Sequence, residues 1–385
     1  MLRVCGVTFD HTSNYGSWFQ AYALQFVILE MEIDVERCEY ELIPASTIRS
    51  GEKKAVICKG GLLARARNHV FQHISRMRKK RFSSFEKEYM RFVDCTERSK
   101  LRELNDRFDA FVCGSDVIWN FIYTNGDPLF FLDFAEKYRF SYAASFGKAD
   151  LDYSGDGIIL PEPANDIYRR YIPRLNRVSV REQYAKELVR RFTDKDVDVV
   201  CDPTLLMTRE QWLKLADSPG QRRKYIFAYS TSTRPNFMCF LKQLQRETRL
   251  PVVQITWQVK DAFKQRSLTF PTAQQWLSLI SGAEYVVTNS FHGTAFSVIF
   301  RRKFFTAIQG EWNVRSNVRL YDFLNELGLE DRLYAQTPEI IPKEMPDFSL
   351  ADERLSQMRE HSMKYIRENL EEALQERQTR QVAVG

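Results

Sequence analysis

The sequence predicts an α/β protein with two doubly wound parallel-sheet domains and a long C-terminal helix. Short apolar strands alternate with helical segments through most of the chain, which is the pattern of a parallel sheet. At 385 residues the chain is long for one hydrophobic core, which favours two domains. Several strands run directly into loops of polar residues and glycine, and such loops meet at the ligand-binding edge of a parallel sheet.

The first domain is expected over residues 1–160. It opens with an apolar strand, a polar loop that contains Gly16, and a helix with apolar residues at helical spacing. The loop lacks Gly-x-Gly-x-x-Gly and is therefore not a dinucleotide fingerprint. A helix is predicted over Ser99–Arg107. The predicted strands are Leu2–Phe9, Val35–Tyr40, Asp109–Cys113 and Phe140–Ala144.

The second domain is expected over residues 161–345, after a boundary near the glycines and prolines of residues 155–163. Strands and helical segments alternate regularly there. The predicted strands are Val178–Val180, Val197–Cys201, Tyr225–Tyr229, Val252–Ile255, Tyr285–Thr288 and Phe304–Ala307. The remaining segment, 346–385, is predicted to form one charged helix from Ala351 to about Gln378 that packs back across a domain.

The composition is that of an ordinary globular protein, with 44% hydrophobic and 28% charged residues. No apolar run approaches the ~20 residues needed to cross a bilayer, and the start of the chain does not resemble a signal peptide. We therefore expect a cytoplasmic protein. The 7 cysteines form no Cys-x-x-Cys pair, which argues against a disulfide framework and a zinc site. No cluster has metal-ligand spacing, so no metal is expected.

Residues 65–81 combine many arginines and lysines with apolar residues near helical spacing. This pattern predicts a basic amphipathic helix. Such a helix can rest on an anionic membrane surface or grip phosphates, and it can equally be a solvated face that covers the domain. Few aromatic residues are interleaved with the charges and no nucleic-acid motif is present, so nucleic-acid binding is not expected.

The most informative stretch is 283–307. Tyr285–Thr288 is a short β-branched and aromatic run, the next residues are small and polar, and an apolar helical run follows. His292 would then lie where a strand ends and a helix begins, and this position favours an anion. In the alternative interpretation Asn289 and Ser290 are helix caps and His292 is an ordinary loop histidine.

Several weak motifs occur in order between about residues 4 and 332. They are Asn14-Tyr15-Gly16 with Gln20 to Gln25, Gly114-Ser115-Asp116 with Trp119-Asn120, Ser141 to Gly147, Ser179-Val180-Arg181-Glu182, Asp202 to Leu206, Thr288 to Thr294, and Arg315 to Arg319. Together they resemble the polysaccharide pyruvyl transferase family. The resemblance implies two Rossmann-like domains facing a cleft, similar to GT-B glycosyltransferases. It also implies phosphoenolpyruvate as donor and two sugar hydroxyls as acceptor, joined as a cyclic pyruvate ketal.

The resemblance also implies roles for individual residues. His292 is the candidate general acid or phosphate contact, and Asp116 is the candidate base, although Asp116 can instead cap a turn. The candidate donor-binding residues are Arg181, Ser290, His292, Gly293, Thr294, Arg315, Asn317 and Arg319, with Arg315 open to a structural ion pair instead. The candidate acceptor-binding residues are Asn14, Tyr15, Gly16, Ser115, Asp116, Trp119, Asn120 and Lys148. Trp119 can instead be a core residue and Gly16 a turn residue.

No cofactor is expected beyond phosphoenolpyruvate as a substrate. The chain has Ser290 where some members of the family have arginine, so donor binding would depend more on Arg181, Arg315 and the helix amides. The leading hypothesis is transfer onto a lipid-linked or nucleotide-linked sugar in surface (exopolysaccharide) synthesis, with peripheral contact at the inner face of the plasma membrane. The alternatives are a glycosyltransferase that uses a nucleotide sugar and a binding partner with a decayed site. The sequence does not indicate the oligomeric state.

Overall fold

The chain forms two compact units, each with its own mostly or wholly parallel sheet. In this computed structural model the described residues are 1–10, 14–51, 81, 84–147, 151–152, 157–158, 162–217, 223–230, 235–255, 271–308 and 317–384. The first unit comprises Met1–Lys54, Tyr89–Leu206 and Ser356–Gly385, and the second comprises Ala55–Glu88 and Met207–Leu355. The predicted α/β class is confirmed. The basic stretch 65–81 lies outside the described residues except for its last one.

The first unit is built on a five-stranded sheet of order β2-β3-β1-β4-β5. Its strands are β1 (Leu2–Val7), β2 (Glu32–Ile33), β3 (Glu36–Leu42), β4 (Ala110–Cys113) and β5 (Tyr138–Ser141), followed by β6 (Leu151–Asp152), β7 (Gly157–Ile158), β8 (Val178–Val180) and β9 (Val197–Val199). The central strand β1 pairs in parallel with β3 and β4, and β4 pairs in parallel with β5. All four residues of β4 are buried, as expected for a strand covered on both faces.

The boundary of the first unit lies after Leu206, not near residue 160 as the sequence predicted. Strand β8 pairs with β9 and continues the first sheet beyond β5 through single bridges. Ser141 and Ser179 reinforce this junction, since each hydroxyl donates to the backbone carbonyl of the other residue, at 3.0 and 2.8 Å. The glycines and prolines of 155–163 therefore mark a connection inside the unit.

Before the C-terminal helix, the described helices of the first unit are short except for the first. They are α1 (Tyr15–Leu29), α2 (Ala45–Gly51), α3 (Phe121–Thr124), α4 (Glu162–Tyr171) and α5 (Gln183–Val189), with 3-10 turns at Arg98–Asp106, Pro128–Phe131, Ile172–Arg174 and Pro203–Leu205. Nearly every residue of α1 is buried, and Asn14 caps its start by accepting from the backbone N–H of Gly16. The helix predicted at Ser99–Arg107 is the first of the 3-10 turns.

The second unit contains a sheet of order β11-β10-β12-β13-β14, with every pair parallel. Its strands are β10 (Ile226–Tyr229), β11 (Val252–Ile255), β12 (Tyr285–Thr288), β13 (Lys303–Ala307) and β14 (Leu333–Tyr334). Its helices are α6 (Arg209–Leu215), α7 (Pro235–Thr248), α8 (Ala273–Ser281), α9 (Phe291–Ile299) and α10 (Val318–Glu326), with a 3-10 turn at Glu330–Arg332. Strand β12 lies in the middle of the sheet and is fully buried.

The last helix, α11 (Ser349–Val384), packs from Ser356 onward on the first unit, as predicted for the tail. The hydroxyl of Tyr365 donates to the carbonyl of Ser141 at 3.0 Å, and the hydroxyl of Tyr138 donates to Glu372 at 2.6 Å. Both contacts anchor the helix beside β5. None of the described helices combines the length and the apolarity that crossing a membrane requires.

Candidate active site

The strand and the helix predicted around His292 are present in the second unit, but the helix begins before the apolar run that predicted it and includes His292. Strand β12 ends at Thr288, and α9 begins at Phe291. Ser290 is the N-cap, because its hydroxyl accepts from the backbone N–H of Gly293 at 3.4 Å. The hydroxyl of Thr288 accepts from the N–H of Ser290 at 3.1 Å. The serine that stands in place of an arginine is thus a helix cap, which stabilises the turn.

His292 lies in the first turn of α9 and is 5% exposed. Its ring meets Phe291 edge-on, with ring centroids 5.4 Å apart. Thr294, one turn from the cap, donates to the carbonyl of Ser290 at 3.1 Å and shares a hydrogen bond with Thr306 of β13 at 2.9 Å. The imidazole therefore sits at the positive end of the helix dipole, on a rigid turn at the carboxyl end of the central strand.

Gly293 allows α9 to approach the sheet closely. A Cβ at this position would lie 2.2 Å from Oγ1 of Thr288 and 3.1 Å from Cδ1 of Tyr229, which are shorter than contact distances. We expect Gly293→Ala to lower the free energy of unfolding by about 1–3 kcal/mol, as overpacking does in other cores. Urea unfolding measures this loss.

Adding Thr288→Ala to Gly293→Ala removes the nearer obstacle and should recover part of the stability. Ala295→Gly on the same helix is the matched control for a change of helix propensity, since it alters the same two residue types without a clash. A Gly293→Ala variant as stable as the wild type would contradict the close approach.

The start of α10 carries the second group of predicted donor residues in this unit. Asn317 precedes the helix and is 4% exposed. Arg319 lies in its first turn, and its Nε is buried without a hydrogen-bond partner among the described residues. Helices α9 and α10 pack together through Phe291 and Phe323, with ring centroids 5.3 Å apart. Arg315 lies outside the described residues.

In the first unit the predicted base Asp116 follows β4 in a tight turn. Its backbone is in the left-handed region, with φ of 70°, which aspartate tolerates better than most residues. The hydroxyl of Ser17 donates to Oδ2 at 2.6 Å, and the N–H of Val117 donates to Oδ1 at 2.9 Å. The carboxylate is 7% exposed and is held in one orientation by these two donors.

Gln20 of α1 fixes this turn, a role that the sequence reasoning missed. Its Nε2 donates to the hydroxyl of Thr8 at 2.9 Å, and its Oε1 accepts from the N–H of Ser115 at 3.1 Å. The hydroxyl of Thr8 in turn donates to the carbonyl of Ser115 at 2.9 Å. The only signal in the sequence was the place of Gln20 in a family motif, because side-chain amide hydrogen bonds to residues far along the chain leave no recognisable spacing in a sequence.

Arg181 lies at the end of β8, as predicted, inside a buried ion-pair network. Its guanidinium donates to Glu182 at 3.0 Å, to Asp202 at 2.8 Å and to the hydroxyl of Ser145 at 3.2 Å. Burial alone would lower the pKa of Arg181, but the charges of Glu182, Asp202 and Asp116 outweigh it and raise that pKa. The arginine is a permanent cation whose charge two carboxylates already balance.

The predicted acceptor residues of the first unit are mostly buried. Trp119 is fully buried, stacks on Phe131 at 5.7 Å and donates from Nε1 to the carbonyl of Phe130. Asn120 caps α3 and donates to the carbonyl of Phe146. In this structure neither side chain presents a surface to a sugar, because both are enclosed by the core of the unit. The burial of Trp119 agrees with the alternative that it is a core residue.

The remaining acceptor candidates surround Asp116 and α1. Ser115 is fully buried and donates to the carbonyl of Ala143 at 2.8 Å. Tyr15 is 3% exposed and stacks on Phe19, while Asn14 and Gly16 form the capped start of α1. Lys148 lies outside the described residues. Within the described ranges, no group of three or more His, Cys, Asp or Glu side chains is arranged to hold a metal ion.

Comparison with solved structures finds proteins that are similar to this chain over most of its length. Among solved structures, a UDP-GlcNAc 2-epimerase from Neisseria meningitidis is 10% identical, with 96% of this chain and 99% of that chain covered and a TM-score of 0.46. A putative UDP-N-acetylglucosamine 2-epimerase from Listeria monocytogenes is 10% identical, with coverages of 94% and 96% and a TM-score of 0.42. The wall teichoic acid polymerase TagF is 10% identical, with coverages of 98% and 90% and a TM-score of 0.46.

A search of curated protein sequences gives no match. The family model described as polysaccharide pyruvyl transferase matches residues 14–308, from the cap of α1 to the residue after β13. This span contains both sheet edges described above. The chain therefore belongs to the polysaccharide pyruvyl transferase family and is a transferase.

Proposed function

We propose that this transferase moves the pyruvate group of phosphoenolpyruvate onto two hydroxyls of a sugar as a cyclic ketal. The observation that carries the proposal is the family match over residues 14–308, together with the position of His292 in the first turn of α9. A histidine there is close to the helix N-terminus, which favours a phosphate or carboxylate, and its imidazole is a side chain that can transfer a proton.

The reaction breaks and forms few bonds. The methylene carbon of phosphoenolpyruvate takes a proton, and the adjacent carbon becomes oxocarbenium-like. A sugar hydroxyl adds to that carbon and loses its proton, and the C–O bond to phosphate breaks with the electron pair leaving on phosphate. The second hydroxyl then adds to the same carbon and loses its proton. Of the two protons released, one replaces the proton given to the methylene carbon and the other leaves on hydrogen phosphate.

His292 is the proposed proton donor to the methylene carbon. General acid catalysis of this kind requires a group that can carry a proton to the reacting carbon, and a histidine side chain is such a group. The N-terminal amides of α9 and the guanidinium of Arg319 are proposed to bind the phosphate or carboxylate of the donor. The buried Nε of Arg319 supports this assignment, because a guanidinium N–H without a partner is costly unless a ligand accepts from it.

Asp116 is the proposed base for the first sugar hydroxyl. Ser17 and the N–H of Val117 hold its carboxylate rigidly, and rigid orientation is what a general base needs. Arg181 is proposed to supply a fixed positive charge and to hold its neighbours in the first unit in place. It is not proposed to bind phosphoenolpyruvate directly through its guanidinium group. Its three hydrogen bonds within the unit support this role.

The acceptor is proposed to be a lipid-linked or nucleotide-linked sugar of a surface polysaccharide, in keeping with the family description. The basic composition of residues 65–81 supports a peripheral contact with an anionic membrane face, where a lipid-linked acceptor would lie. Sedimentation with anionic vesicles, compared with neutral ones, tests this part of the proposal. Equal sedimentation with both kinds of vesicle would contradict the proposed contact with an anionic membrane.

Calorimetry with phosphoenolpyruvate tests the donor. We expect saturable binding to the wild type and at least tenfold weaker binding to Arg319→Gln, since a hydrogen bond to a charged ligand group is worth about 1.5–3 kcal/mol. Arg246→Gln on α7 is the matched control, because Arg246 is exposed in the same unit. Its affinity should equal that of the wild type.

Product formation completes the test. Incubation with phosphoenolpyruvate and candidate sugar acceptors should release phosphate and raise the acceptor mass by one pyruvic acid less one water. Binding of a nucleotide sugar without binding of phosphoenolpyruvate would instead support the glycosyltransferase hypothesis. Binding of phosphoenolpyruvate without turnover on any acceptor would support the hypothesis of a binding partner whose catalytic site is no longer active.

A further inference from the structure

The buried polar network of the first unit contains three carboxylates, and one of them differs from the others. Asp116 accepts a hydrogen bond on each oxygen, and so does Asp202, whose Oδ1 accepts from Thr204 and whose Oδ2 accepts from Arg181. Glu182 accepts only on Oε1, from the hydroxyl of Ser145 at 2.7 Å and from Arg181 at 3.0 Å. Its Oε2 is buried and has no hydrogen-bond partner among the residues that the structure describes.

The position of Glu182 at the start of α5 does not explain why its carboxylate is buried with one oxygen unpaired. Glu182 is the N-cap residue of α5, yet its side chain makes no capping hydrogen bond. N-cap residues usually stabilise the helix start with a short side chain such as serine or aspartate. Here the longer side chain turns into the network and is 5% exposed. A buried carboxylate oxygen that accepts nothing costs stability, and such groups call for a functional explanation.

The network ties Glu182 to the proposed base Asp116. The backbone N–H of Ser145 donates to the carbonyl of Asp116 at 3.0 Å, while the hydroxyl of the same serine donates to Glu182. Both carboxylates also lie near Arg181, since each raises the pKa of its guanidinium. Ser145 therefore links the backbone of Asp116 to the carboxylate of Glu182, and the charges of both carboxylates act on Arg181.

Two carboxylates match the chemistry of ketal formation, which removes one proton from each of two hydroxyls. We propose that Glu182 is the second base: its Oε2 takes the proton of the hydroxyl that closes the ketal ring, after Asp116 has taken the proton of the first. This inference rests on the proposed function. Ser145 and Arg181 are the positioning residues, because both donate to Oε1 and neither donates to Oε2.

The proton balance is complete without any further reactant. Asp116 and Glu182 each take one proton from a sugar hydroxyl. Of these two protons, one replaces the proton that the methylene carbon took up and the other leaves with the phosphate, which restores both carboxylates. Without the second base, water competes for the oxocarbenium centre, and the adduct breaks down to free pyruvate and the unchanged sugar.

The experiment therefore measures how much of the consumed phosphoenolpyruvate becomes ketal and how much becomes free pyruvate. Glu182→Gln is incubated with phosphoenolpyruvate and an acceptor that the wild type converts, and free pyruvate and ketal product are quantified together. We expect phosphate release to continue, with at least a tenfold rise in the ratio of free pyruvate to ketal. Glu187→Gln, an exposed glutamate on the same short helix, should keep the wild-type ratio.

Glu182→Asp is the second variant, since it keeps the charge beside Arg181 and shortens the side chain by one methylene. It should fold as the wild type does and show an intermediate ratio. If Glu182 had a purely structural role, its replacement would lower ketal and free pyruvate together at a constant ratio. That result in either variant would overturn this inference and leave the proposed function standing. A wild type that makes no ketal from phosphoenolpyruvate would overturn the proposed function and this inference with it.

Discussion

Replacing His292 by glutamine is expected to lower the turnover of phosphoenolpyruvate by about 100- to 10,000-fold, the usual contribution of a general acid. Glutamine keeps much of the shape and polarity of the imidazole but cannot deliver a proton. The affinity for phosphoenolpyruvate should fall much less, because the helix amides remain in place. Steady-state release of phosphate gives the turnover, and calorimetry gives the affinity.

The matched control for this variant is His361→Gln. His361 lies on α11 with about half of its side chain exposed, so its replacement should leave turnover unchanged. A thermal unfolding curve of His292→Gln within a few degrees of the wild type would show that the loss is chemical. Turnover within threefold of the wild type would remove His292 from the proton-transfer step and leave it as a residue of the turn.

Local signals in the sequence predicted much of the fold. The strands Val178–Val180, Val252–Ile255 and Tyr285–Thr288 were predicted with the observed bounds, and a helix was predicted after β12, although α9 begins earlier, at Phe291. These segments have strong β-branched or aromatic runs bounded by polar residues, which specify structure over a few residues. The candidate histidine was found for the same reason, because its position depends on a strand end and a helix start.

The unit boundary could not be read from the sequence in this way. A stretch of glycine and proline marks a break in local structure, but it does not say which sheet the next strand joins. Strand β8 joins the first sheet through hydrogen bonds between Ser141 and Ser179, two residues 38 positions apart. Partners so distant along the chain leave no periodic signal. The extent of the first unit, including residues 162–206, is therefore a tertiary property.

The roles of charged residues were hidden for the same reason. Arg181 was predicted at a strand end, and the structure puts it there, but its ion pair with Asp202 joins residues 21 positions apart. The sequence contained both motifs without showing that they meet. The free oxygen of Glu182 is also invisible in a sequence, since only the packed structure shows which of two carboxylate oxygens has a donor.

Arg181→Met is expected to destabilise the protein by about 3–5 kcal/mol, because it leaves Glu182 and Asp202 as uncompensated buried charges. Urea unfolding followed by the fluorescence of the tryptophans, which include Trp119 of the same unit, measures the loss. Arg190→Met on the exposed face beside α5 is the control and should change the free energy of unfolding by less than about 0.5 kcal/mol.

A second substitution separates the charge from the packing of Arg181. Arg181→Met combined with Glu182→Gln removes one buried anion together with the cation, so the double variant should recover part of the stability lost in the single variant. Arg181→Met at wild-type stability would show that the network contributes nothing to folding.

Because the expected loss of stability is large, weak phosphoenolpyruvate binding by an Arg181 variant reports on donor binding only if the first unit of that variant is still folded. Arg181→Lys, which keeps the positive charge, is therefore the variant with which a direct donor contact should be tested.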